Sequence, residues 1–163
     1  MLTQIHLSKA TTSQEVEETI DEVRALARGI YPSVLSEHGL AAALQTAARA
    51  SPIPISLDLD GIGRFSPEVE NTVYFACVEA MQNVAKHARG ARHVEIAVSN
   101  GEALFFAITD DGEGFDGRVA ATGAGLANLR DRLAAVGGEM TIESSPGHGT
   151  RVAGRVPAAG GAG

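Results

Sequence analysis

Residues 94–115 read Val-Glu-Ile-Ala-Val-Ser-Asn-Gly-Glu-Ala-Leu-Phe-Phe-Ala-Ile-Thr-Asp-Asp-Gly-Glu-Gly-Phe. Val94, Ile96 and Val98 alternate with polar or small residues, the period-two pattern of a half-buried strand. Asn100-Gly101 follows, and both residues tolerate the positive φ that a tight hairpin turn demands. The return strand covers Ala103–Thr109 and delivers Asp110-Asp111-Gly112-Glu113-Gly114 at its end. Glycines spaced two apart, after an Asp at a strand end, let backbone approach a ligand closely and put a carboxylate at the rim of a sheet. Taken alone, the same residues are also an ordinary acidic turn.

Working outward, the pattern alternates between helix and strand. Ser66-Pro67 reads as an N-cap and a proline at the first helical position, with Glu68 and Glu70 in the electropositive first turn. That helix runs to about Ala88. Ile55–Asp60 alternates as a strand, and Leu40–Ala50 is a short helix between Gly39 and Pro52. Further upstream, Thr12 and Glu15 have capping-box spacing, and Val16, Ile20, Val23, Ala27 and Ile30 form a narrow apolar stripe. Gly29 and Pro32 end it. The stripe fits either a helix lying on the domain's own core or the end of a longer dimerising helix. On the other side, Gly123-Ala124-Gly125 opens a helix over Leu126–Val136, ended by Gly137-Gly138. Met140–Glu143 and Thr150–Val156 make a second hairpin around Ser145-Pro146-Gly147. The order implies an α+β fold: a two-layer sandwich whose mixed, mostly antiparallel sheet is covered by helices on one face, preceded by an N-terminal helical segment.

The 163 residues are 44% hydrophobic but only 4% aromatic with no Trp, so the core must be aliphatic. Cys77 is the one cysteine, which excludes an internal disulfide framework and a cysteine zinc site and suits a reducing, cytoplasmic setting. A net charge of −7 with scattered Arg argues against nucleic acid as a partner. No apolar run approaches the ~20 residues of a membrane helix.

On the long helix, Glu79, Asn83 and His87 recur every four residues, which places them on one broad face. Spacing alone also fits a solvated helix face. Gly123-x-Gly125 at a helix start exposes free N–H groups and the positive end of the helix dipole to an anion. It also fits helix entry with no ligand. A P-loop is absent, and Asn128 stands where a dinucleotide fingerprint needs its third glycine. Gly147-His148-Gly149-Thr150 places a hydroxyl at a strand start after two glycines, which most simply is a hairpin turn.

In this order and spacing, the four stretches resemble the ATP-binding catalytic domain of histidine kinases, the GHKL or Bergerat fold shared with DNA gyrase and mismatch-repair ATPases. Glu79-x-x-x-Asn83-x-x-Lys86-His87 resembles the N-box. Asp110-x-Gly112-x-Gly114, Gly123-x-Gly125-Leu126 and Gly147-x-Gly149-Thr150 resemble the glycine boxes. The likeness covers about residues 55–157. Residues 18–44, with Ile30-Tyr31-Pro32 and Gly39-Leu40, resemble more narrowly the sensor kinases paired with helix-turn-helix response regulators. There this stretch is the end of the second dimerisation helix and its linker. The expected domains are therefore 1–50 as dimerisation helix end and linker, 51–157 as the ATP-binding domain, and 158–163 as a disordered tail.

The resemblance implies a role for each residue. Asp110 accepts a hydrogen bond from the adenine amino group, where the guanine oxygen would be repelled. Asn83 holds Mg²⁺ against the phosphates, and Lys86 and His87 face the triphosphate. Glu79 matches a position that orients a water in related ATPases. Gly112, Gly114, Gly123, Gly125 and Leu126 form the nucleotide walls, and Thr150 lies near the adenine. A lid over Phe115–Thr122 is expected to order on phosphate. ATP and Mg²⁺ are the implied cofactors. The implied partners are an upstream phosphoacceptor and dimerisation domain, a homodimer mate and a response regulator, in a parent that is cytoplasmic or membrane-anchored. His6 is followed by Leu7 and His38 by Gly39 where an acceptor has an acidic residue, and His93 and His148 lie in or beside strands, so the γ-phosphoryl group goes to a histidine upstream, and this stretch by itself does not autophosphorylate. An anti-sigma-factor-type serine kinase and a nucleotide-gated ATPase module use the same boxes; residues 12–50 and the short lid count against them.

Overall fold

The computed structural model describes residues 33–59, 61–116 and 124–158. The helix expected from Thr12, the turn Gly29–Pro32, Gly123 with most of the lid, and residues 159–163 lie outside them. The elements are α1 (Ser33–His38), α2 (Leu40–Arg49), β1 (Ile55–Asp58), α3 (Pro67–His87), β2 (Val94–Asn100), β3 (Ala103–Asp110), α4 (Ala124–Ala135), β4 (Glu139–Ser144) and β5 (Thr150–Pro157).

The five strands are ordered β1-β2-β3-β5-β4, with β1 parallel to β2 and every other pairing antiparallel. This is the expected mixed, mostly antiparallel sheet. Its register follows from the alternation: Ile96 faces Ile108, Ile108 faces Val152, and Val152 faces Ile142. Slipping any strand by one residue would turn this apolar row to the solvent face. Alternate positions such as Glu95, Arg151 and Glu143 lie on the exposed face.

The apolar face is covered by helices. Val69, Val73, Ala76, Cys77, Ala80 and Val84 of α3 are buried against Val94, Ile96, Val98, Leu104, Phe106 and Ile108. Burial pushes the Cys77 thiol up to about 12, so it packs as a small apolar group. Ser66 caps α3 as expected, its Oγ accepting from the Val69 N–H at 3.4 Å, with Pro67 in the first turn.

Two features depart from the pattern read along the chain. The first is α1, a six-residue helix after Pro32. Leu35 of α1 and Leu40, Ala43 and Leu44 of α2 are buried in the same core as Val69 and Val73. The second is Glu70. It is 2% exposed rather than displayed on the first turn, and it accepts from Arg64 Nε at 2.9 Å and the Phe65 N–H at 3.1 Å. Arg64 also reaches the Ser36 carbonyl at 3.1 Å, so one guanidinium ties the end of α1 to the start of α3. A carboxyl group buried this deeply needs such hydrogen-bond partners to offset its lost hydration.

Candidate nucleotide site

The site is built at the C-terminal half of α3, the end of β3 and the start of α4. Glu79 and Asn83 are half-buried on α3, and Lys86 and His87 are exposed about one turn beyond Asn83. Asp110, the last residue of β3, is 7% exposed and sits directly opposite Thr150, the first residue of β5. Gly125 and Leu126 lie in the first turn of α4. The predicted residues Glu79, Asn83, Lys86, His87, Asp110, Gly112, Gly114, Gly125, Leu126 and Thr150 are thus all described, and only Gly123 is not.

Several of these residues are in direct contact. A Cβ added to Gly125 would lie 2.7 Å from Glu79 Oε1, so α4 enters with its backbone laid on that carboxylate. A Cβ on Gly112 would lie 3.0 Å from Ala88 Cβ and 3.3 Å from the Arg89 carbonyl oxygen, so the loop after β3 abuts the end of α3. The Glu113 N–H donates to that same carbonyl at 2.9 Å.

Asp110 Oδ1 accepts from the Gly112 N–H at 2.9 Å. Burial nevertheless raises the Asp110 pKa, with Asp111 beside it adding to the rise. Asp111 shifts the other way. Its Oδ1 accepts from the backbone N–H groups of Arg92 and His93 at 2.7 and 2.9 Å, and these bonds lower its pKa. Two adjacent carboxylates therefore have opposite linkage to folding. A group whose folded pKa is depressed adds stability above its unfolded value, near 4, that is lost as pH falls through the folded value. Asp111→Ala is expected to lower the melting temperature at neutral pH, with the difference from wild type shrinking as the pH drops below about 4. Thermal unfolding across that range checks it, and a pH-independent difference would refute the carboxylate's role.

Asp111 was not singled out by its type or spacing, and neither was Ser144. Ser144 Oγ donates to the Gly149 carbonyl at 3.0 Å, accepts from the Phe115 N–H at 2.9 Å and lies 2.8 Å from Thr150 Oγ1. With the Ser144 proton given to Gly149, the Thr150 hydroxyl is the donor in their contact, and its own lone pairs remain as acceptors. The Gly147 N–H donates to the Glu113 carbonyl at 2.6 Å. The first and last glycine boxes are thereby joined into one floor. A serine at a strand end before Pro-Gly was the only signal of this in the sequence.

His93 Nε2 lies 3.0 Å from Ser56 Oγ, and His38 and His148 are exposed, so none of them joins the cluster on α3. Among the described residues no group of three His, Cys, Asp or Glu could hold a metal, and no helix is long and apolar enough to cross a membrane.

The profile of the histidine kinase-, DNA gyrase B- and HSP90-like ATPases matches residues 68–160. The sensor histidine kinase MctS of Rhizobium johnstonii is 32% identical over 136 residues, which cover 77% of this chain and 29% of MctS. The chain likewise spans 27–40% of the length of other curated sensor histidine kinases that it matches. Among solved structures, the blue-light activated histidine kinase of Erythrobacter litoralis shares the fold with a TM-score of 0.66 at 22% identity, over 76% of this chain and 43% of that one. The ATP-binding domain of PrrB from Mycobacterium tuberculosis matches with a TM-score of 0.56 at 28% identity, over 73% of this chain and 90% of that one. The chain belongs to the histidine kinase-, DNA gyrase B- and HSP90-like ATPase family, among relatives that are sensor histidine kinases.

Proposed function

We propose that this chain binds Mg-ATP at the α3–β3–α4 cluster and supplies the γ-phosphoryl group to a histidine outside residues 33–158, within a two-component sensor kinase. The observation that carries this reading is the pairing of a buried acceptor with a separate anion-binding helix start. Asp110 presents a carboxylate at one end of the cluster, and the first turn of α4 lies beside Glu79 at the other. Adenine donates its amino hydrogens to Asp110, with the acceptor oxygen of Thr150 alongside. The triphosphate runs toward the free N–H groups of α4. Asn83, Lys86 and His87 continue the same face of α3 and meet the phosphates, while Glu79 orients the reacting end.

Magnesium fits this donor set only together with nucleotide. The amide oxygen of Asn83 is a hard, neutral ligand, and the remaining positions would be filled by phosphate oxygens and water. When bound, the ion neutralises charge on the transferring group. Phosphoryl transfer is chiefly positioning and charge stabilisation, so no protein nucleophile is needed here. The acceptor histidine, the dimer mate and a response regulator belong to the rest of the kinase. We place the boundary of the catalytic unit before Ser33 rather than at residue 51, because α1 and α2 share its core. The serine-kinase and nucleotide-gated readings have no observation of their own in favour.

Calorimetric titration of ATP and GTP, with and without Mg²⁺, tests the reading. ATP is expected to bind at least tenfold more tightly than GTP, and Mg²⁺ to strengthen ATP but not adenosine. Equal affinity for both nucleotides, or none for either by a folded protein, would overturn it.

A further inference from the structure

The geometry points to Phe75 and Arg132 as a positioning pair that sets where the first turn of α4 stands against Glu79. The inference rests on the reading of that turn as the triphosphate site. Arg132 Cζ lies 4.9 Å from the centroid of the Phe75 ring, in a cation–π contact between the last turn of α4 and the middle of α3. Tyr74 stands edge-on to the same ring, with centroids 5.8 Å apart and planes at 72°. Gly125 on Glu79 is a second contact between the helices. Phe75 and Glu79 are one turn apart on α3, and Gly125 and Arg132 are two turns apart on α4. The two helices therefore run in opposite senses. The N-terminal end of α4 points toward the part of α3 that carries Asn83, Lys86 and His87.

What holds α4 in that register is limited. Only Leu129 and Leu133 of its described side chains are buried. Apolar contact is non-directional, so these two leucines resist removal of the helix from the core better than they resist sliding or rotation along α3. At Gly125 no side chain exists to interlock with the neighbour. The cation over the ring is a directional contact, and it acts at the end of the helix away from the ligand. Arg132 and Phe75 touch neither nucleotide nor metal in this scheme; they act through α4. Arg132 also carries its charge in the last turn of α4, where it favours the helix dipole, but that effect needs no ring beneath it.

The test compares ATP and adenosine binding in Arg132→Gln and Phe75→Leu, each of which keeps most of the side-chain volume. Arg132 is exposed and Phe75 half-buried, so Arg132→Gln keeps the test open should the other variant unfold. Each single variant is expected to weaken ATP by about two- to fivefold, the range for an exposed cation–π contact, and to leave adenosine unchanged. The double variant should be no worse than either single one. Arg132→Lys and Phe75→Tyr, which keep cation and ring, should restore ATP affinity to within about twofold of wild type. Equal weakening of ATP and adenosine, additive losses or no loss would overturn the proposal. Amide exchange at residues 124–128 of the nucleotide-free protein separates this proposal from the site reading. Exchange is expected to quicken in Arg132→Gln even if the wild type binds no nucleotide, and unchanged exchange would refute the pair's role.

Discussion

Asp110→Asn is expected to cost at least tenfold in ATP affinity while leaving the nucleotide-free protein as stable as wild type or more so. The two effects have one origin. Burial of the carboxylate raises its pKa, so the folded state holds the Asp110 proton more tightly than the unfolded chain does. The stability contribution of such a group is complete below the unfolded pKa and is lost as pH rises through the folded value. At neutral pH the buried charge therefore opposes folding, and Asn removes it. The amide oxygen can still accept from the Gly112 N–H, so the loop keeps its anchor. Binding has the opposite interest. A hydrogen bond to a charged acceptor is worth roughly 1.5–3 kcal/mol, a factor of about 10–150, and the Asn amino group would face the adenine amino group donor to donor. The same substitution should narrow the ATP-to-GTP preference, because an amide can donate to the guanine oxygen. Calorimetry paired with thermal unfolding between pH 4 and pH 8 reads both effects. A variant that loses stability and affinity together would show that Asp110 is a structural residue.

Gly149→Ala is expected to be strongly destabilising. Gly149 has φ +68°, and a Cβ there would overlap the Asp110 carbonyl oxygen and stand 3.0 Å from its carbon. The left-handed conformation costs a non-glycine residue about 1–2 kcal/mol, and forcing an atom into packed backbone costs a further ~1–3 kcal/mol. Together these predict a melting temperature lower by roughly 8–20 °C for a domain of this size. Gly147→Ala is the control. Its φ is +82°, but nothing lies within 4 Å of its Cβ position, so only the conformational cost remains. The difference between the two variants measures the packing of the last glycine box on Asp110. Because the displaced backbone is that of Asp110, any Gly149→Ala protein that still folds should also bind ATP weakly. Equal melting temperatures for the two variants would refute this contact.

Local chemistry made much of this protein legible along the chain. Period-two alternation in Val94–Val98 and Asn100-Gly101 specify the central hairpin, because both depend on neighbours a few residues away. Ser66-Pro67 specifies the start of α3 for the same reason, and the bond from the Val69 N–H bears that out. The four boxes and their order were visible, and with them the family.

Contacts distant in sequence were beyond the reach of such patterns. Alternation in Ile55–Asp58 marks a strand but is blind to its parallel pairing with Val94–Ala97, since either orientation buries the same face. Burial of Glu70 is set by Arg64 and by the Phe65 N–H folding back over it, while its local context only says first turn of a helix. Leu35 and Leu44 read as part of a linker until Val69 and Val73 stand opposite them. Ser144 becomes a junction between two glycine boxes only when β4 and β5 bring Gly149 and Phe115 to it. Residue identity thus determined which elements form and which groups are candidates to meet a nucleotide. Packing decided which of those groups are buried, which charges are shifted, and that α4 enters its site across the Glu79 carboxylate, because these depend on atoms the chain places far apart until it folds.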